Sequence, residues 1–277
     1  MALYEFAPSK PLVEYVRTYR IVHFQFASNT SLPIKAYPPR PEHCLSFYPK
    51  DYEEVDFAVN GQKAGNLAAV LFGQHTEVSH RQVGSDFLLF QIVFKPGALY
   101  RITGVPSTEL TNAYLDAALL FKDEIKWVNE KLNHCQSYPQ MVAVVEKFLL
   151  GQIQKKTFEQ HRLDLVSMLP IKDSGSYSVD VLAKASCMSV RQFERVFKER
   201  MGVSPKFFIK VARFENAYRM KNQSPQLDWL SIAFDCGYYD YQHLVKDYKA
   251  LTQQTPNDFH QLDLGAPERA FGVADTY

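Results

Sequence analysis

The sequence predicts an α+β multidomain fold. An N-terminal antiparallel β-barrel or jelly-roll-like domain with a helical hairpin precedes an all-α C-terminal domain of two tandem helix-turn-helix units. Three observations predict it. Residues 1 to about 110 carry short runs rich in aromatic and β-branched residues, punctuated by Pro and Gly clusters. Between 113 and 155 the apolar spacing changes to that of helices. From 178 onward all spacing is helical, and one motif recurs at a fixed offset.

Length and composition allow this organisation. A chain of 277 residues, 46% hydrophobic and 22% charged, is long enough for two domains that each bury a core. The longest apolar runs, at Leu67–Phe72 and Ala117–Phe121, fall far short of the roughly 18 to 20 residues of a membrane helix. The first residues, MALYEFAPSKP, lack the basic and apolar regions of a signal peptide. A cytoplasmic protein without membrane contact is expected. Cys44, Cys135, Cys187 and Cys236 form no C-x-x-C pair, which argues against a zinc cage or a disulfide framework. Cys187 and Cys236 fall in equivalent turns of the two C-terminal units, where both are expected to be buried for packing.

In chain order, Pro11–Tyr19 reads as a short helix leading into the strand Tyr19–Phe26, with Val22, Phe24 and Phe26 on one face. Further strands are expected at His43–Tyr48, Val55–Val59, Leu67–Phe72 and Asp86–Phe94, with turns at 37–41, Asn60-Gly61 and 95–97. Ala113–Leu132 reads as one helix, with Leu115, Leu119, Ile125, Trp127, Val128 and Leu132 apolar. A second runs from Pro139 to about Lys155, started near Ser137. This hairpin suits a homodimer seam or a cover for its own barrel, with equal weight. Asp173–Ser176 is a linker. The expected divisions are 1–112 (barrel), 113–172 (hairpin and linker), 173–263 (tandem helix-turn-helix) and a tail, 264–277.

The most informative stretch is Ser178–Phe214. Val181, Leu182 and Ala185 form the apolar side of a short helix, ended by a turn at 186–188. Ser189 and Gln192 make a capping box for a second helix, Ser189–Met201. Phe193, Val196, Phe197 and Arg200 or Met201 supply its buried stripe, and Arg191, Glu194, Arg195 and Lys198 its outer face. The motif returns. Phe193, Arg195, Phe197 and Lys198 are echoed by Leu244, Lys246, Tyr248 and Lys249, each 51 positions on. Ser204-Pro205 and Phe208 are echoed by Thr255-Pro256 and Phe259 at the same offset, but Ala183 by Ala233 at 50. The second turn therefore carries one extra residue. Two such units on one long helix, 205–221, suit successive major-groove faces about 34 Å apart. Charge agrees: residues 189–221 hold nine Lys/Arg against three Glu, a balance of +6, whereas 227–263 hold two Lys against six Asp, a balance of −4. A polyanion would meet the first unit more readily.

The string Met188-Ser-x-Arg-x-Phe-x-Arg-x-Phe-Lys, Gly202-Val-Ser-Pro205, Arg213-Phe214, Ile232-Ala233, Gly237-Tyr238, His243-Leu244, Tyr248-Lys249 and Thr255-Pro256 resembles the AraC/XylS family of bacterial transcription regulators. The resemblance covers about the last 95 residues. Phe94–Gly97, Gly104–Pro106 and Glu109-Leu110 are similar to the cupin-related domains that precede the DNA-binding part in some members. It implies base-reading helices at Ser189–Met201 and Tyr241–Ala250, acting on double-stranded DNA. Arg191, Gln192, Glu194 and Arg195, then Tyr241, Gln242, Val245 and Lys246, take the base-facing positions. Arginine reads guanine bidentately, Glu194 suits a cytosine amino group and Gln242 an adenine. Lys198, Lys206 and Lys249 suit phosphates. Gln253 departs from the family pattern, standing where a glycine usually ends the second reading helix, so a looser or rebuilt turn is expected there.

His23, His43, His75 and His80, with Glu42 and Glu77, lack the H-x-H spacing of a cupin metal site, so neither a metal nor another cofactor is expected. No nucleophile triad, P-loop or G-x-G-x-x-G motif points to an enzyme. A cupin-like metal enzyme fused to a DNA-binding domain, and a barrel that only dimerises, are the alternatives to a barrel that senses a small-molecule effector. The effector and the direction of control are not legible.

Overall fold

The computed structural model describes residues 2–27, 32, 34–57, 63–155, 158–172 and 177–271. The expected turn at Asn60-Gly61, the linker Asp173–Ser176 and the last six residues of the tail lie outside them. The described strands are, in chain order, β1 (Ala2–Phe6), β2 (Val16–Gln25), β3 (Ile34–Tyr37), β4 (Cys44–Phe47), β5 (Glu53–Phe57), β6 (Lys63–Ala64), β7 (Ala69–Phe72), β8 (Ser79–Val83), β9 (Asp86–Phe94) and β10 (Tyr114–Asp116). They form two antiparallel sheets, β1-β2-β9-β4-β7-β10 and β3-β8-β5-β6. Where a helix was expected from Pro11, a single 3-10 turn, Lys10–Leu12, leads into β2.

Strand β9 shows why these elements form. Its run DFLLFQIVF has no polar face because both faces are covered. Phe87, Leu89 and Val93 line the space between the sheets, with Val22, Phe24, Tyr48 and Phe72. Leu88, Phe90, Ile92 and Phe94 pack outward with Tyr19, Ile21, Leu45 and Phe47 against helices.

Those helices are α1 (Ala98–Thr103), α2 (Ala118–Phe121), α3 (Asp123–Asn133) and α4 (Tyr138–Lys155). The single helix expected over 113–132 is therefore broken. Tyr114–Asp116 pairs with β7 as an edge strand, past the expected barrel boundary at 112. Asp116 Oδ1 then accepts the Ala118 N–H at 2.8 Å, which ends the strand and starts α2. Lys122, at φ 53°, separates α2 from α3. Ile125, Val128, Leu132, Met141, Val145, Phe148 and Leu149 bury themselves in the barrel's outer core, so the hairpin covers its own barrel. Leu119 (73% exposed) and Trp127 (49%) do not join that stripe.

The C-terminal part comprises α5 (Arg162–Val166), α6 (Leu169–Lys172), α7 (Val179–Ala185), α8 (Val190–Met201), α9 (Pro205–Gln223), α10 (Trp229–Asp235), α11 (Tyr241–Thr252) and α12 (Pro256–Asp263), then a 3-10 turn, Pro267–Phe271. It has two cores. Leu182, Ala183, Phe193, Phe197, Met201 and Phe208 form the first, and they share it with Leu163 and Val166 from before the linker. Val211, Phe214, Ile232, Ala233, Leu244, Tyr248 and Phe259 form the second, joined by Ala36 and Val78 of the barrel.

The first unit also docks on the barrel. The last carbonyls of α8 lack intrahelical partners, and barrel donors meet them. The Ser107 hydroxyl donates to Arg200 O at 2.7 Å, His43 Nε2 to Met201 O at 3.1 Å, and the Thr111 hydroxyl to Gly202 O at 3.0 Å. Gly202 is left-handed at φ 83°, and a Cβ there would stand 2.5 Å from Thr111 Oγ1 and 2.7 Å from Ser107 O. Arg200, buried beneath, forks onto Asp164 with bonds of 2.7 and 2.5 Å.

Candidate nucleic-acid interface

The two units repeat each other atom by atom at their turns. Met188 N–H donates to Ala183 O at 3.0 Å, and Tyr238 N–H to Ala233 O at 2.9 Å. Ser186 matches buried Cys236, and Cys187 (φ 57°) matches Gly237 (φ 73°). Cys187 is thus exposed, contrary to the packing role expected for it, because its position must turn left-handed at the surface. Ser189 then caps α8 by accepting the Gln192 N–H, and Asp240 caps α11 by accepting the His243 N–H. The extra residue of the second turn is Tyr239, 86% exposed. In α7 the buried side chains are Leu182 and Ala183, while Val181 and Ala185 face outward.

In α8, Phe193 and Phe197 are fully buried, with ring centroids 5.4 Å apart, and Phe208 of α9 packs on Phe197 at 5.4 Å. That fixes the opposite face. Arg191, Gln192, Glu194, Arg195 and Lys198 all stand exposed there, with Lys206 exposed at the start of α9. In α11, Leu244 and Tyr248 are buried, and Tyr248 contacts Phe259 at 6.3 Å between centroids. Gln242, Lys246 and Lys249 are exposed, and Tyr241 and Val245 half-buried. The two faces are held by α9, whose 19 residues span about 28 Å at 1.5 Å each.

Both charge balances shrink once partners are assigned. Arg200 is spent on Asp164, Arg213 on Asp247 (2.7 Å), and Lys221 on the carbonyls of Pro225 and Leu227. Asp228 and Asp240 cap helices, and Asp263 takes the Tyr218 hydroxyl and Arg269. The free-standing cations of the faces are four in the first unit (Arg191, Arg195, Lys198, Lys206) and two in the second (Lys246, Lys249). The asymmetry expected from charge keeps its direction at a smaller size.

Residues 182–261 match the helix-turn-helix domain family HTH_18. That stretch is a helix-turn-helix domain. Residues 4–116 match a domain family of unknown function, DUF6597. Over 118 residues the chain is 27% identical to an uncharacterized HTH-type transcriptional regulator of Haemophilus influenzae, a stretch covering 43% of this chain and 38% of that protein. The chain thus spans about two fifths of the length of that curated relative. Among solved structures, ToxT from Vibrio cholerae superposes with a TM-score of 0.50 at 10% identity, covering 88% of this chain and 98% of that one. An AraC-type regulator from Chromobacterium violaceum is 25% identical over 37% of this chain and 88% of its own, with a TM-score of 0.32. The ToxT likeness shows a shared two-domain fold.

Within the helix-turn-helix domain, the Gln253 turn is neither loosened nor rebuilt: Gln253 itself adopts the left-handed conformation, φ 64°, and its N–H donates to Lys249 O. Tyr239 was not singled out in the sequence, although the one-residue mismatch between the repeats marks its position. Outside this domain the histidines are dispersed. His23 bonds Tyr138 and Asp86, His43 serves α8, and His75 lies between Phe57 and Phe72. Burial, against the pull of the Met201 carbonyl, pushes His43 down to about 4, and burial followed by the Arg81 charge pushes His75 down to about 3. Among the described residues no three His, Cys, Asp or Glu side chains gather as a metal set, and no helix is long and apolar enough to cross a membrane.

Proposed function

We propose that this chain is a sequence-specific DNA-binding transcription regulator of the bacterial cytoplasm, controlled by a small molecule held in its barrel. The observation that carries this is the pair of capped helices, α8 and α11, whose buried aromatic stripes turn arginine, lysine and amide side chains outward from one rigid scaffold. The sensor half is the barrel with its hairpin, through 155, and the DNA-binding half runs from 162. Arg191, Gln192, Glu194 and Arg195, with Tyr241, Gln242, Val245 and Lys246, read bases. Lys198, Lys206 and Lys249 hold phosphates, and Tyr239 touches the backbone beside α11.

Selection of bound sequences from random DNA tests the reading. A recovered site with two half-sites about one helical turn apart supports it, and salt-dependent but sequence-indifferent binding refutes it. On the selected site, Arg195→Ala is expected to cost about 1 to 3 kcal/mol and to relax one position. Lys198→Ala is expected to weaken all sequences alike and to lower the salt slope by about 1. Lys246→Ala is expected to cost less than Arg195→Ala, as the second face carries two cations against four.

The hairpin supplies a homodimer seam in this reading. Its main stripe is spent on the barrel, but Leu119, Leu120 and Trp127 remain exposed. Light scattering that finds a dimer in the native chain, and a monomer for Leu119→Glu with Trp127→Glu, supports the seam.

A further inference from the structure

The space between the two sheets holds a cavity of about 90 Å³, and its wall is not made by the barrel alone. At one end stand Val22, Phe24, Val83, Phe87 and Leu89. At the other stand Arg20, Lys35, Arg40 and Arg81, with Gln91 and Glu53. Leu3 and Tyr37 complete the barrel's share, and the remaining wall is Pro267 and Glu268, which belong to the 3-10 turn after α12. The last segment of the DNA-binding half therefore closes the barrel.

Glu268 is an unusual lid. Its side chain is only 5% exposed and ion-pairs with Lys35 of β3. Its neighbour Arg269 reaches the other way, to Asn222 at the end of α9 and to Asp263 of α12, which also accepts the Tyr218 hydroxyl. The lid is thus fastened to the second helix-turn-helix unit by one residue and to the sensor by the next. Other cations of the lining have carboxylates of their own: Arg20 has Glu42, Arg81 has Glu53 and Arg40 has Glu215. Withdrawal of Glu268 leaves four cations and one carboxylate around the cavity.

We propose that Glu268 is a built-in stand-in for an effector, and that the effector is a small amphiphile with one carboxylate and an apolar or aromatic body. The inference rests on the regulatory reading above and names the ligand class and the switch for it. A site of about 90 Å³ takes little more than a headgroup, whereas small-molecule sites are ordinarily several hundred Å³, so the body of a ligand enters only when Pro267 and Glu268 leave. Exchanging one carboxylate for another on Lys35 is close to neutral. Burial of the ligand's body against Phe24, Phe87 and Leu89 then supplies the differential affinity that a population shift requires. Loss of the Glu268 contact removes the ion pair that ties the second unit to β3 and leaves it held there by the Ala36 and Val78 packing, while the first stays docked through Ser107, His43 and Thr111. The ligand thereby changes the relation between the two reading helices.

The test titrates the full-length wild-type chain, Glu268→Gln and Lys35→Gln with 4-phenylbutyrate, and with 4-phenylbutan-1-ol as the uncharged match, by calorimetry without DNA. Glu268→Gln is expected to bind the carboxylate about tenfold more tightly than wild type and to favour the alcohol by a smaller factor, and Lys35→Gln to lose the carboxylate preference. In parallel, hydrogen exchange of 256–269 is expected to rise in Glu268→Gln and in ligand-saturated wild type, with α8 unchanged. Equal or weaker carboxylate binding by Glu268→Gln, or none at all, overturns the proposal, as does unchanged exchange in 256–269. These readouts contain no DNA, so failure of the regulatory reading shows separately, as sequence-indifferent binding.

Discussion

Cys187 and Gly237 occupy one position of the repeated turn, and Gly202 and Gln253 another, so each unit places a glycine at only one of its two left-handed sites. A side chain in that region costs roughly 1 to 2 kcal/mol against the ordinary helical or extended backbone. Cys187→Gly and Gln253→Gly are each expected to stabilise the chain by about 1 kcal/mol, after the entropy that glycine adds to the unfolded state. The two sites lie by different cores, so the gains are expected to add in urea melts of the double variant. Gly202 cannot be exchanged in the other direction. There the constraint is double, because the backbone is left-handed and the barrel stands where a Cβ would go.

At the scale of elements, that contact sets the mounting of α8. Gly202→Ala is expected to destabilise the full chain by about 3 kcal/mol, combining left-handed strain with overpacking against Thr111 and Ser107. Hydrogen exchange should localise the effect to 198–203 and to the 3-10 turn Ser107–Glu109, with α11 spared. Uniform faster exchange across both units would contradict this placement. None of it was legible in the sequence, where Gly202 reads only as a helix end. Other elements were legible in proportion to how purely they obey one rule. β9 and β4 are continuous apolar runs, and α4 keeps a clean 3.6 spacing. β8, SHRQV, hides because one of its inward side chains is Arg81, neutralised by Glu53. β10 hides because Leu115 and Asp116 fit a helix as well as an edge strand, and only the free edge of β7 decides between them. The reading faces were legible because the repeat fixes which side is buried. Their charge was overcounted because the partners of Arg200 and Arg213 lie 36 and 34 residues away along the chain.

At the scale of the whole molecule, the largest part of the pH response lies in the buried histidines of the barrel. His43 and His75 are neutral when folded, at about 4 and 3, and ordinary near 6.5 when unfolded. Their folded values are depressed, so stability is complete above 6.5 and erodes as pH falls toward 4, where protons bind the unfolded chain first. The slope is about 1.4 kcal/mol per pH unit for each histidine. Glu42, which burial would raise but Arg20, Arg17 and Arg40 hold at about 2, adds to the loss only below its unfolded range near 4.5. Thermal melts at pH 7 and 5.5 should show the drop, and His75→Phe, among the rings of Phe57 and Phe72, should flatten it by about half. His43 ties this response to the other half of the molecule, since its proton is the one given to Met201 O.

Regulators of this architecture look like cassettes, a reader that any sensor can drive. The end of α8 says otherwise for this chain. Three of its carbonyls are answered by Ser107, His43 and Thr111, none of which travels with the reader when the chain is cut before 162. Grafted onto a foreign barrel, the first reading helix would arrive with an unfinished terminus, while the second would keep both its caps and lose only the Ala36 and Val78 packing beneath it. Chimaeras that carry the 104–111 segment along should therefore bind DNA through both helices, and those that leave it behind mainly through the second.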